Sequence, residues 1–72
     1  MTKLTSEIKD IARSGGGISV DASTKLTSEL KEIAQAINAS NAFLIIRNAD
    51  DKLTSELKEI ARAAPGKVIF EL

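Results

Sequence analysis

Apolar residues recur along this chain in two alternating rhythms. In the phrase KLTSELKEIA, which fills residues 25–34, and just beyond it, they fall at Leu26, Leu30, Ile33, Ala34 and Ile37. Spacings of four, seven, eight and eleven residues trace one stripe of a helix. The phrase returns letter for letter at 52–61, with Leu53, Leu57, Ile60, Ala61 and Ala64 on the stripe. A near copy, KLTSEIKDIA at 3–12, places Leu4, Ile8, Ile11 and Ala12 alike. The intervening Thr, Ser, Glu, Lys, Gln and Arg form a solvated face. Thr2, Thr24 and Asp51 precede the copies as helix caps, with Thr5, Thr27 and Thr54 as rivals one turn later. GGG at 15–17, NASN at 38–41 and PG at 65–66 supply stop signals.

The second rhythm follows each stop. ISVD at 18–21, FLIIR at 43–47 and VIFEL at 68–72 are rich in β-branched and aromatic residues and read as strands. The order is helix, strand, three times over, in units 1–21, 22–47 and 48–72. Strands separated by helices pair in parallel through right-handed crossovers. Strand starts at Ile18, Phe43 and Val68 are spaced by 25 residues and again by 25. The expected fold is therefore α/β: a parallel three-stranded sheet in order 1-2-3 with all helices on one face, a mini-solenoid.

A register beginning at Phe43 points Ile18, Val20, Phe43, Ile45, Val68 and Phe70 toward the helices and Ser19, Leu44, Ile46, Ile69 and Glu71 away from them. Helices on one side cannot cover that second face, and parallel sheets are normally buried on both. Leu44, Ile46 and Ile69 would then form an exposed apolar patch. The edge strand carrying Val68, Phe70 and Leu72 is a second surface open to pairing. The expected partner is another copy of the chain, in a two-fold homodimer joined face to face or edge to edge.

The residues F43-L-I-I-R-N48 resemble the L-x-L-x-x-N core of a leucine-rich repeat, and I18-S-V-D-A-S23 fits the same frame with Ser in place of Asn. The helical phrase LTSELKEIARA is similar to that of ribonuclease-inhibitor-type repeats. This resemblance implies inward Phe43 and Ile45, with Ser23 and Asn48 as a structural ladder. The sequence departs from the pattern at Gly15 and Ser40, where a leucine is usual, and at Asp50, where an apolar residue is usual. Residues 25–36 and 52–63 agree at 11 of 12 positions, exposed ones included, which points to recent duplication or deliberate copying.

Chemistry is sparse. The chain of 72 residues has no Cys and no His, so disulfides, thiolate metal sites and the familiar catalytic triads are absent. Ten Lys/Arg balance ten Asp/Glu, giving no basic patch for nucleic acid or an anionic membrane. The longest apolar run, Ala42–Ile46, is too short to span a bilayer, and MTKLTSEIKD lacks the apolar core of a signal peptide, so a cytoplasmic protein is expected. NAS at 38–40 is then a chance match to a glycosylation acceptor. Asp21, Asn48, Asp50 and Asp51 lie at strand ends, where open α/β sheets bind ligands or a magnesium ion. Cap and turn roles account for them more simply. The expectation is a non-catalytic structural or interaction module without cofactor. A ligand-binding α/β domain (or a flavodoxin-like enzyme fragment) using the strand ends is the alternative, and a designed repeat is a third reading.

Overall fold

A computed structural model describes residues 4–72. The elements run α1 (Thr5–Arg13), β1 (Ile18–Asp21), α2 (Thr27–Ser40), β2 (Leu44–Arg47), α3 (Thr54–Ala63) and β3 (Val68–Phe70). A single 3-10 turn, Ala22–Thr24 or Ala49–Asp51, follows each of the first two strands. The strands form one parallel sheet in the order β1-β2-β3. The helices pack as a single layer, α1 on α2 and α2 on α3, above one sheet face. Leu30, Ile33, Ile37, Leu44, Ile46 and Ile60 are the large side chains sealed between the layers. Among the described residues no helix is long and apolar enough to cross a membrane.

Neither set of expected caps holds the helix starts. Thr2 lies outside the described residues, and Thr24 and Asp51 belong to the 3-10 turns. Thr5, Thr27 and Thr54 are already the first helical residues, so the cap positions fall to Leu4, Leu26 and Leu53. A leucine side chain accepts no hydrogen bond. The glutamate three residues on supplies the missing acceptor instead: Glu7, Glu29 and Glu56 take the backbone N–H of these leucines through Oε1 at 3.1, 2.8 and 2.9 Å. This is the glutamate half of a capping box, and it places negative charge where the helix dipole favours it. The three leucines remain exposed, although the stripe assigned them to the core.

The helices end on left-handed residues. Gly15 follows α1 at φ 96°, Asn41 closes α2 at φ 63°, and Gly66 follows Pro65 and α3 at φ 74°. Helix α2 spans 14 residues against 9 and 10 for its neighbours and takes in Asn38–Ser40, although NASN is a stop signal by composition. Having a helix on either side, α2 buries Ala36 and Ile37 in the turns that prolong it.

That extra length displaces β2 by one residue. The register pairs Ile18 with Leu44 and Leu44 with Val68, offsets of 44 − 18 = 26 and 68 − 44 = 24, not 25 and 25. In a strand a slip of one exchanges the faces. Leu44 and Ile46 point into the core with no exposed surface, while Phe43 is 59% exposed on the opposite side. The expected inward Phe43 and Ile45, and the expected outward patch through Leu44 and Ile46, are both corrected by this register. Ile18, Val20, Val68 and Phe70 do face the helices, as expected.

The inverted register gives an inverted mutational order. Leu44→Ala or Ile46→Ala should destabilise the fold by about 2–5 kcal/mol, the usual range for truncating a sealed aliphatic side chain. Phe43→Ala should cost less than about 1 kcal/mol in the monomer, as for exposed positions generally. Chemical denaturation of the three variants, read by helical circular dichroism, checks this order.

Candidate functional site

Two regions concentrate the residues singled out by the sequence. The first is the sheet face away from the helices. Strand alternation places Ser19, Ile45 and Ile69 in one row across it, paired in that order. Phe43 lies one step toward the strand starts, its carbonyl accepting the Ile18 N–H at 3.0 Å. Ile69 is 52% exposed and Ile45 is half-buried, so Phe43, Ile45 and Ile69 form an apolar patch that no element among the described residues covers. A charged row, Asp21, Arg47 and Glu71, borders it at the strand ends: Asp21 pairs with Arg47, and the Glu71 N–H continues the ladder to the Ile46 carbonyl at 2.9 Å.

Of the residues expected at an interface, only Ile69 lies on this face and is exposed. Leu44 and Ile46 are sealed under the helices, and Val68 and Phe70 are half-buried on the helix side of the edge strand. Leu72, beyond β3, is exposed. Phe43 and Ile45 were missed. A signal for them was present: Arg47 shares their phase, and a register that buries Phe43 and Ile45 also drives a guanidinium under the helices.

The second region is the carboxyl end of the strands. Asp21 caps the first 3-10 turn, its Oδ1 accepting from the Ser23 N–H at 2.8 Å and the Ser23 hydroxyl at 2.6 Å. Its Oδ2 accepts from the Asn48 side-chain amide at 2.9 Å. The two residues expected as a ladder, Ser23 and Asn48, thus meet on one carboxylate. Asn48 adopts the left-handed conformation at φ 54°, which asparagine tolerates better than most residues. Hydrogen bonds from Ser23, foremost, and from Asn48 hold Asp21 below its ordinary carboxyl range, with the nearby Arg47 charge acting in the same direction. One Asp21 oxygen thus closes its own turn and the other ties the end of β1 to the residue that follows β2. Beside them an open, largely polar depression of about 470 Å³ is lined by Arg47, Asn48, Asp50, Glu71 and Leu72. Among the described residues no three acidic side chains converge as a metal site would require.

Between the helices, the copied phrase acquires a physical use. Glu29 and Glu56 cap their own helices with one oxygen and accept from the preceding helix with the other: Thr5 donates to Glu29 Oε2 at 2.9 Å, and Thr27 to Glu56 Oε2 at 2.8 Å. Lys9 pairs with Glu32 at 2.9 Å and Lys31 with Glu59 at 3.3 Å. Lys25, read as surface from its sequence, is buried between the first two repeats, with its ammonium 3.3 Å from the Thr5 hydroxyl. Several of the polar positions that match between copies thus make the same side-chain contacts at the two junctions. No known protein family, curated protein or solved structure matches the chain.

The contacts of Glu29 and Glu56 predict an acid limit to stability. Hydrogen bonds from Leu26 and Leu53, then from Thr5 and Thr27, hold Glu29 and Glu56 below their ordinary value of about 4.5. The unfolded chain therefore binds more protons than the folded one as these carboxylates titrate. Their contribution is complete above about pH 4.5 and is lost as pH falls through the depressed native values. Thermal melts between neutral pH and pH 3 should show Tm falling in that window, and the fall should be shallower in a Glu29→Gln/Glu56→Gln variant.

Proposed function

We propose that this chain is a non-catalytic interaction module that associates with a second copy of itself through the bare face of its sheet. The observation that carries the reading is the patch of Phe43, Ile45 and Ile69, apolar, contiguous and uncovered in the described chain. A parallel sheet with one solvated face is unusual, and a second layer about 10 Å away is the common way to close it. A copy of the same face is the occupant because the patch and its charged border are self-complementary in one orientation.

Two two-fold axes lying in the sheet plane stack the faces with β2 over β2. An axis along the strands sets Arg47 against the partner's Arg47 and Asp21 against the partner's Glu71, like charge on like charge. An axis across the strands sets Arg47 over the partner's Phe43, a favourable cation–π arrangement, and leaves Ile45 on Ile45 and Ile69 on Ile69. The charged row therefore selects the second axis, with the strands of the two sheets running in opposite directions. Contacts of this closed type end at a dimer.

Because Ile46 is internal, the substitution that separates face pairing from edge pairing is Ile45→Lys. Sedimentation equilibrium should show a dimeric unit for the wild-type chain at micromolar concentration and its loss in Ile45→Lys, with helical circular dichroism unchanged. An unaltered mass in Ile45→Lys contradicts the face contact. Orientation is read separately by Ser19→Cys, introduced into a chain with no cysteine: under mild oxidation it should crosslink to itself in the across-strand dimer, where Ser19 faces the partner's Ser19, and not in the along-strand one, where it faces Ile69.

A further inference from the structure

Among the described residues, the outer flanks of α1 and α3 carry halves of the inter-helix junction that meet no neighbouring helix, with Asp10 pairing only with Arg13 of its own helix at 3.4 Å. At the outer flank of α3, Thr54 and Lys58 occupy the places of Thr5/Thr27 and Lys9/Lys31, whose donors reach the next helix in the chain. At the outer flank of α1, Glu7 and Asp10 occupy the places of Glu29/Glu56 and Glu32/Glu59, the acceptors. All four are exposed. Glu7 already caps α1 through Oε1, as its counterparts cap α2 and α3, and Oε2 is the oxygen those counterparts offer to a threonine.

Burial shows the same asymmetry. Ile11 is 44% exposed, whereas Ile33 and Ile60, its equivalents with a helix on that side, are fully sealed. On the opposite flank Leu57 is only half-buried, while its equivalent Leu30, which has a following helix, is sealed. One flank thus presents an isoleucine without its cover, and the other presents a leucine without its neighbour. Among the described residues no strand pairs with the outer edge of β1 or of β3, and such edges are open to another strand.

We infer that copies of the 72-residue chain join head to tail, the α3–β3 flank of one seating on the α1–β1 flank of the next and repeating the internal junction. In that contact Thr54 donates to the next copy's Glu7, Lys58 pairs with its Asp10, and Ile11 fills the space beside Leu57. The two flanks are different surfaces, so the contact is heterologous and propagates where the face contact closes. It uses a surface separate from the sheet face and stands whether or not that face pairs.

Ile45→Lys serves as the background in which face pairing is removed. Sedimentation velocity of this chain over a rising concentration series should show species growing past the dimer. Lys58→Glu, or Asp10→Lys, added to it should abolish that growth while leaving the circular dichroism intact. Mixing the two doubly substituted chains makes both alternating junctions complementary, while each chain alone meets like charge, so growth should resume only in the mixture. Independently, carbodiimide coupling of the wild-type protein should join Lys58 to Asp10 or Glu7, a link that α2 separates within one chain. A mass that stays monomeric, growth that survives Lys58→Glu, or coupling confined to Lys9–Glu32 and Lys31–Glu59 overturns the inference. Failure of the face contact alone would instead leave Ile45→Lys and wild type alike in mass and both sensitive to Lys58→Glu.

Discussion

A single layer of three helices can seal one face of a three-stranded parallel sheet, and the phase of the middle strand decides which side chains share that shelter. In this chain Leu44 and Ile46 lie under the helices and Phe43 and Ile45 do not. Strand β2 pairs on both edges, so its phase aligns Ile18, Leu44 and Val68 in one inward row and Val20, Ile46 and Phe70 in the next. The rows that remain outside contain the exposed apolar patch and its charged border. The core and the exposed apolar patch follow from one choice of parity.

That choice was poorly legible in the sequence because Ala42–Ile46 is a continuous apolar run, in which strand alternation leaves no mark. A constant repeat of 25 supplied a phase by arithmetic, and the added turn of α2 spoiled it. The charges carry the missing information. Asp21 and Glu71 both fall on the outward phase of their strands, and Arg47 falls there only if Phe43 and Ile45 do too. Desolvating a guanidinium costs more than exposing a phenyl ring, so charge outranks aromatic character in setting the register.

Helix existence, strand order and parallel pairing were readable, since the stripes and turn signals are strong. Helix starts were not, because Thr at three successive places suggested a cap that Glu7, Glu29 and Glu56 provide from within the helix. The role of the repeated polar letters was also hidden. Thr27 and Glu56 look like ordinary helix-surface choices until the neighbouring helix stands beside them and a hydroxyl meets a carboxylate oxygen at 2.8 Å. Each junction combines such polar contacts with an isoleucine closed over by the adjacent repeat, and this pairing of polar rungs with apolar cover makes the units stack.

Central to the account is the proposal that the outward row of the sheet is the face that meets another copy. Isotope-filtered NMR on a mixed labelled and unlabelled sample at neutral pH tests it most directly, since only contacts between molecules survive the filter. The account predicts intermolecular contacts from the methyl groups of Ile45 and Ile69 and from the Phe43 ring, and none from Leu44 or Ile46. Intermolecular contacts from Leu44 or Ile46, or a complete absence of them at Ile45, would contradict it.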